Sequence, residues 1–88
     1  MEYSAELLLE AGHYSALFYG TEDLATILAL PIEQVRIALD LNDELGLAIK
    51  AGRLKSDAEF RTAVITLAKQ GSSPAQALTM QLIQHLEG

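Results

Sequence analysis

The sequence predicts an all-α fold: a small helical domain of four to five helices, with a helix-turn-helix at its core, one long helix after it and a C-terminal helix. Three observations predict this. Apolar residues recur at helical spacing through most of the chain. No convincing strand interrupts them. Capping chemistry punctuates the pattern at glycines, at "LND" and at "GSSP". With 88 residues, half of them apolar, and only two prolines, the composition is globular, and residues 1–88 read as a single domain. A chain of this size buries about 60 to 65 per cent of its surface on folding, so its stability is marginal.

The first helix opens in "SAELLLEA", from Ser4, and its pattern ends at Gly12, where glycine suits a left-handed C-cap. "HYSALFYG" gathers Tyr14, Leu17, Phe18 and Tyr19 before Gly20. It reads as a short helical turn carrying aromatic core filler, the alternative being a stacking platform for bases. Thr21 is placed to cap the next helix, with Glu22 and Asp23 at the positive end of its dipole. Leu24, Ala25 and Leu28 then share one face. The period breaks at "LALPIEQ", which puts a turn at Ala29 to Pro31. It resumes through Val35, Ala38 and Leu39. A helix-turn-helix needs a small residue where its helices cross and a small or flexible one at the turn. Ala25 and Ala29 meet that need, and Leu24, Leu28, Leu30 and Val35 supply the apolar contacts.

From Asn42, a plausible N-cap, to Gly71 the chain can form one helix of nearly thirty residues. Stepping 100° per residue places Leu45, Ile49, Gly52, Ser56, Phe60, Ala63 and Leu67 on one face. Leu47, Ala51, Leu54, Ala58 and Ile65 fall almost opposite. An ordinary surface helix has one apolar face, so the second is a candidate oligomer face, unless the final helix covers it. Gly46 and Gly52 each cost such a helix about 1 kcal/mol relative to alanine; they permit a close crossing or mark a bend. In "GSSPAQAL", Ser73 is expected to cap the last helix, with Pro74 in its first position and Gln76 completing a capping box. That helix is expected to run to about Leu86, with Leu78, Leu82, Ile83 and Leu86 on its apolar face.

Charge and composition exclude several functions. The chain has no cysteine, hence no disulfide, thiolate nucleophile or thiolate metal site. His13 and His85 stand far apart, no HExxH spacing occurs, and no glycine-rich phosphate loop follows a strand. Neither an enzyme, a metal nor a cofactor is expected. No apolar run approaches the roughly 20 residues of a membrane span, and acids stand where a signal peptide has bases, so a soluble, cytoplasmic chain is expected. The net charge of −6 conceals an asymmetry: residues 1–49 hold nine of the twelve acids and only Arg36. Residues 50–69 hold Lys50, Arg53, Lys55, Arg61 and Lys69 against Asp57 and Glu59. Lys50, Arg53, Asp57 and Arg61 share one helix edge, which is either a solvated edge with internal ion pairs or a phosphate contact.

The layout of residues 15–86 resembles a phage terminase small subunit. The resemblance rests on "TEDLATILALPIEQVRIAL", on "ELGLAIKAGRLKSDAEFRTAVITLAKQG" as the long helix with its Gly-Arg step, and on the "SSPAQAL" helix start. It implies a phage-encoded protein acting in a bacterial host. In that family the helix-turn-helix binds viral packaging-initiation DNA, later helices assemble subunits into a ring, and the assembly regulates a separate ATPase-nuclease. The small subunit itself is not an enzyme.

Carried onto this chain position by position, the reading residues would be those outward on the second helix, Glu33, Gln34, Arg36, Ile37 and Asp40; together with the basic segment, the candidate double-stranded DNA contacts are Gln34, Arg36, Lys50, Arg53, Lys55 and Arg61. Gln34 can pair with adenine and Arg36 with guanine or phosphate. The same second helix also turns Glu33, Ile37 and Asp40 outward, which suits a protein partner at least as well as a groove. An acidic helical interaction module or inhibitor built on the same scaffold is therefore the second expectation.

Overall fold

A computed structural model describes residues 2–86. They form five helices: α1 Ala5–Ser15, α2 Thr21–Ile27, α3 Ile32–Leu41, α4 Glu44–Lys69 and α5 Ser73–Gln84. No strand occurs among the described residues. The fold is the small all-α arrangement the sequence predicts, with one long helix and a C-terminal helix. By its internal contacts the chain divides into two compact units, Met1–Ser56 and Asp57–Gly88.

The first unit is built around Ala11, Leu24, Ala25, Leu28, Val35, Ala38, Leu45 and Ile49, drawn from four helices. Burying each large aliphatic side chain among them contributes about 1.5–3 kcal/mol. Ser4 caps α1 by accepting from the Leu7 N–H at 3.1 Å. Gly12 does not end this helix, which continues to Ser15. It marks instead the place where α4 crosses. A Cβ on Gly52 would stand 3.0 Å from both the carbonyl carbon and the Cα of Gly12, and nearer still to its oxygen. At Gly46 a Cβ would lie 2.7 Å from the carbonyl carbon of Ala38 and 3.2 Å from the Cα of Leu39. Both glycines therefore serve close crossing, and α4 is one helix through them.

The extra turn of α1 changes the fate of the aromatic segment. Tyr14 packs against the core, whereas Leu17, Phe18 and Tyr19 lie exposed in the loop beyond it. Aromatic core filling therefore applies to Tyr14 alone. Phe18 takes a φ of 65°, a conformation uncommon for a bulky residue. The guanidinium of Arg53 donates to the neighbouring Tyr19 carbonyl at 3.1 Å and braces this loop.

Thr21 does not cap α2; Gly20 occupies the N-cap position without a side-chain bond, and Thr21 is the first helical residue. The helix ends in a Schellman motif. The Leu30 N–H reaches the Ala25 carbonyl at 2.9 Å and the Ala29 N–H reaches Thr26 at 3.2 Å. Ala29 holds the left-handed position, φ 56°, usually given to glycine. Asn42 likewise ends α3 in left-handed geometry, φ 53° and ψ 43°, rather than capping α4. That cap falls to Asp43, whose carboxylate accepts from the Gly46 N–H at 2.9 Å. A short polar side chain tolerates the left-handed backbone, so Asn42 ends one helix and frees its neighbour to start the next.

The second unit is a helical hairpin. Gly71, φ 100°, closes α4 in another Schellman motif, with the Ser72 N–H on Leu67 and the Gly71 N–H on Ala68, both at 3.1 Å. Ser72, not Ser73, caps α5 by accepting from the Ala75 N–H. Pro74 moves accordingly to the second helical position, and the Gln76 amide donates to the Ala68 carbonyl at 3.1 Å instead of completing a capping box. Val64 and Ala75 are buried here. Phe60, Ala63 and Leu67, expected on the buried face, are exposed, because this part of α4 buries the edge holding Val64 and, partly, Ala68. Leu82 is half-buried, and Leu78, Ile83 and Leu86 stay exposed.

Two consequences are measurable by urea unfolding. Gly46→Ala and Gly52→Ala should each lower stability by about 2 kcal/mol, since overpacking against backbone outweighs a propensity gain of about 1 kcal/mol; higher urea midpoints would contradict the crossing. Ala29→Gly should raise stability by about 1 kcal/mol by removing the left-handed penalty of an L-residue, and an unchanged midpoint would show that no strain resides there.

Candidate nucleic-acid and protein interface

The helix-turn-helix is positioned from below. Leu24, Ala25, Val35 and Ala38 face inward, and this fixes which residues of α3 turn out. Glu33, Arg36, Ile37, Asp40 and Leu41 are exposed. Arg36 donates to the Glu33 carboxylate at 2.6 Å, with both side chains more than half exposed. An exposed i, i+3 pair adds little stability, but it offsets the only cation on this face. Ile37 and Leu41 are 54% and 72% exposed. The outward face of α3 is thus apolar and acidic.

Gln34 is only half-buried and bonds to the Tyr3 hydroxyl. Tyr3 in turn donates to Asp43 at 2.8 Å. Tyr3, Gln34, Ile37, Leu41 and Asp43 line a shallow open groove. Its polar floor is tied together. The Gly46 backbone N–H, and then Tyr3, hold the Asp43 carboxyl below its ordinary value, while burial opposes them. Burial first, and then the bond to Asp43, push the Tyr3 hydroxyl up.

The basic segment is less available than its composition suggests. Lys50 donates its ammonium to the Leu39 carbonyl at 2.9 Å and to Asn42 Oδ1. It therefore serves the negative end of α3. Arg53, half-buried, is committed to Tyr19. In the second unit Arg61 pairs with Asp57 at 2.7 Å. Lys55 is exposed and, among the described residues, makes no hydrogen bond or ion pair. Of the edge expected to meet phosphate, Lys50 and Arg53 brace the fold of the first unit. Their roles escape sequence reasoning because each reaches a backbone carbonyl, Leu39 for Lys50 and Tyr19 for Arg53, and such an acceptor leaves no trace in residue identity. Leu47, Ala51, Leu54, Ala58 and Ile65, the candidate oligomer face, are exposed.

Among the described residues no cluster of three His, Asp or Glu side chains could hold a metal ion, and no helix is long and apolar enough to cross a membrane. The chain matches no protein-family model, no curated protein and no solved structure.

Asp43 joins the N-terminal segment, the end of α3 and the start of α4, and it makes acid stability a test. Its folded-state proton affinity is lowered, so the unfolded chain binds the proton more readily. Stability is present above the unfolded carboxylate value and is lost as pH falls through the folded one. Asp43→Ala should cost about 1 kcal/mol at neutral pH and should flatten the decline in urea midpoint between about pH 5 and pH 2. A variant with the wild-type acid profile would show that the cap carries none of it.

Proposed function

We propose that this chain is a non-enzymatic, DNA-binding helix-turn-helix protein of the phage terminase small subunit type, acting on duplex DNA in several copies. The observation that carries the reading is the α2–α3 junction. Two short helices meet over a buried Ala25, and a left-handed Ala29 makes the tight turn. This leaves α3 exposed along its outer side, as a helix entering the major groove requires. Arg36 and Gln34 are the base-reading candidates, and Lys55 supplies phosphate attraction. Each copy has few uncommitted cations, so single-copy affinity is weak and binding depends on multivalency.

A second reading is favoured by Ile37 and Leu41, which are apolar and exposed beside Glu33 and Asp40. There α3 receives a basic, apolar protein segment, and the scaffold is an interaction module or inhibitor.

One experiment separates them. Duplex binding is measured by electrophoretic shift at about 50 and about 200 mM salt, with helicity checked by circular dichroism. If α3 meets DNA, binding falls steeply with salt, Arg36→Glu and Lys55→Glu each weaken it at least tenfold, and Glu33→Lys strengthens it. No shift at the lower salt, even at high protein concentration, would sink the DNA reading. A shift indifferent to all three substitutions would remove α3 and Lys55 from the interface. Lys50 and Arg53 are left intact because both are bonded within the fold.

A further inference from the structure

We propose that the loop between α1 and α2 is a docking site for a basic, apolar segment of another protein, held by Phe18 and Tyr19 and attracted by Glu22 and Asp23. Leu17, Phe18 and Tyr19 are consecutive, and they stand 57%, 56% and 41% exposed. An apolar residue exposed singly is ordinary, whereas apolar side chains gathered in one place mark an interaction site.

The loop that carries them is fixed by the fold. Its backbone closes through the Leu17 N–H on the Tyr14 carbonyl at 3.1 Å and the Phe18 N–H on Ser15 at 2.9 Å. Arg53 reaches from α4 to the Tyr19 carbonyl at 3.1 Å. Phe18 meanwhile holds φ 65°, a left-handed conformation that glycine or asparagine would adopt at less cost. Burial does little to offset that cost, because more than half of Phe18 faces solvent. A strained residue kept where the fold gains little from its side chain points to binding. A loop already fixed also loses little entropy when a partner arrives.

Charge selects the occupant. Glu22 and Asp23 follow closely, Asp23 being at most about 14 Å along the chain from Tyr19. Both are exposed, and among the described residues their carboxylates make no ion pair or hydrogen bond. A strand of bases could stack on the rings, but it would bring its phosphates against these two carboxylates. An anionic membrane surface meets the same repulsion. A second copy of this chain, at net charge −6, brings few free cations to the exchange. A segment carrying Arg or Lys beside apolar residues matches everything the loop presents. Its apolar groups pack on Leu17 and the rings, and its cations lie over the ring faces or pair with Glu22 and Asp23. The loop lies outside α3, so its occupancy does not depend on either reading of that helix.

The probe is a random library of short displayed peptides, selected on the full chain at about 50 mM salt. Oligothymidylate and phosphatidylcholine vesicles are measured as separate ligands. Enriched peptides should be basic and apolar, and their affinity should fall when salt is raised to about 200 mM. Phe18→Gly alone should leave the urea midpoint unchanged or higher, because glycine adopts φ 65° without strain. Combined with Tyr19→Ser it should weaken the peptides about tenfold, the loss expected of a central aromatic anchor. Glu22→Lys with Asp23→Lys should also weaken them with helicity retained, and Ile37→Ser on α3 should leave them unaffected. The proposal is overturned by a library that yields no binder, by enriched peptides that are acidic or neutral, or by basic peptides that ignore the loop substitutions or depend on Ile37. Oligothymidylate or vesicles binding through the same two rings would overturn it in favour of a nucleic acid or a membrane. A lowered midpoint for Phe18→Gly would assign that side chain to the fold instead.

Discussion

The first unit depends on backbone-to-backbone approach at two points, where α4 passes Ala38 through Gly46 and Gly12 through Gly52. No other residue fits, because a Cβ at either place would overlap a main-chain carbonyl. The glycines cost α4 about 1 kcal/mol each in helix propensity, and the crossings offset that loss by letting Leu45 and Ile49 reach a core in which both are fully buried. The six-residue interval from 46 to 52 falls about 120° short of two helical turns, so the two glycines stand on either side of the inward face of α4. The stripe between them, holding Leu45 and Ile49, faces the core with α3 along one border and α1 along the other. With that stripe committed inward, the orientation of the helix-turn-helix follows. Leu24, Leu28 and Val35 must point at the same core, and Ile37 and Leu41 are left outside.

Much of this is legible in the sequence, and what is not has two physical causes. The apolar period located α2, α3 and α4, and the small residues at 25 and 29 located their tight turn, because periodicity and side-chain size are local properties. The caps were displaced by a residue or more. Asn42 reads as the start of α4 but ends α3, and Ser73 reads as the cap that Ser72 supplies. In each case two adjacent residues could perform the role, and backbone handedness decided between them. Gly12 misleads for a different reason. A helix-ending glycine and a helix-crossing glycine look identical until the partner, forty residues away, is in place.

The basic segment teaches the same lesson in charge. Its composition suggested a phosphate-binding edge, yet Lys50 and Arg53 both terminate on main-chain carbonyls of the first unit. Lys50 supports the C-terminal end of α3, where an ammonium group is favoured by the helix dipole. Arg53 braces the loop containing Phe18, whose left-handed backbone carries a local cost. A cation used in this way is still exposed to the long-range field, so it contributes to attraction at a distance while being unable to rearrange around a phosphate. Net charge and charge availability are therefore separate quantities in this chain.

The separation bears on what a single copy can bind. Nonspecific affinity for duplex DNA scales with the number of phosphates neutralised. With Arg36 paired to Glu33 and Lys50 and Arg53 tied to carbonyls, Lys55 is the cation of the first unit left to make that contact without breaking another. A binding energy so small per copy becomes useful only when several copies are linked, since a second contact made within an assembly is governed by effective concentration rather than by bulk concentration. Weak attraction per copy also has a benefit. If α3 enters the groove as proposed, shape and its base-edge contacts would make up a larger share of the total, so an assembled array would discriminate between sequences more than a strongly basic module of equal overall affinity.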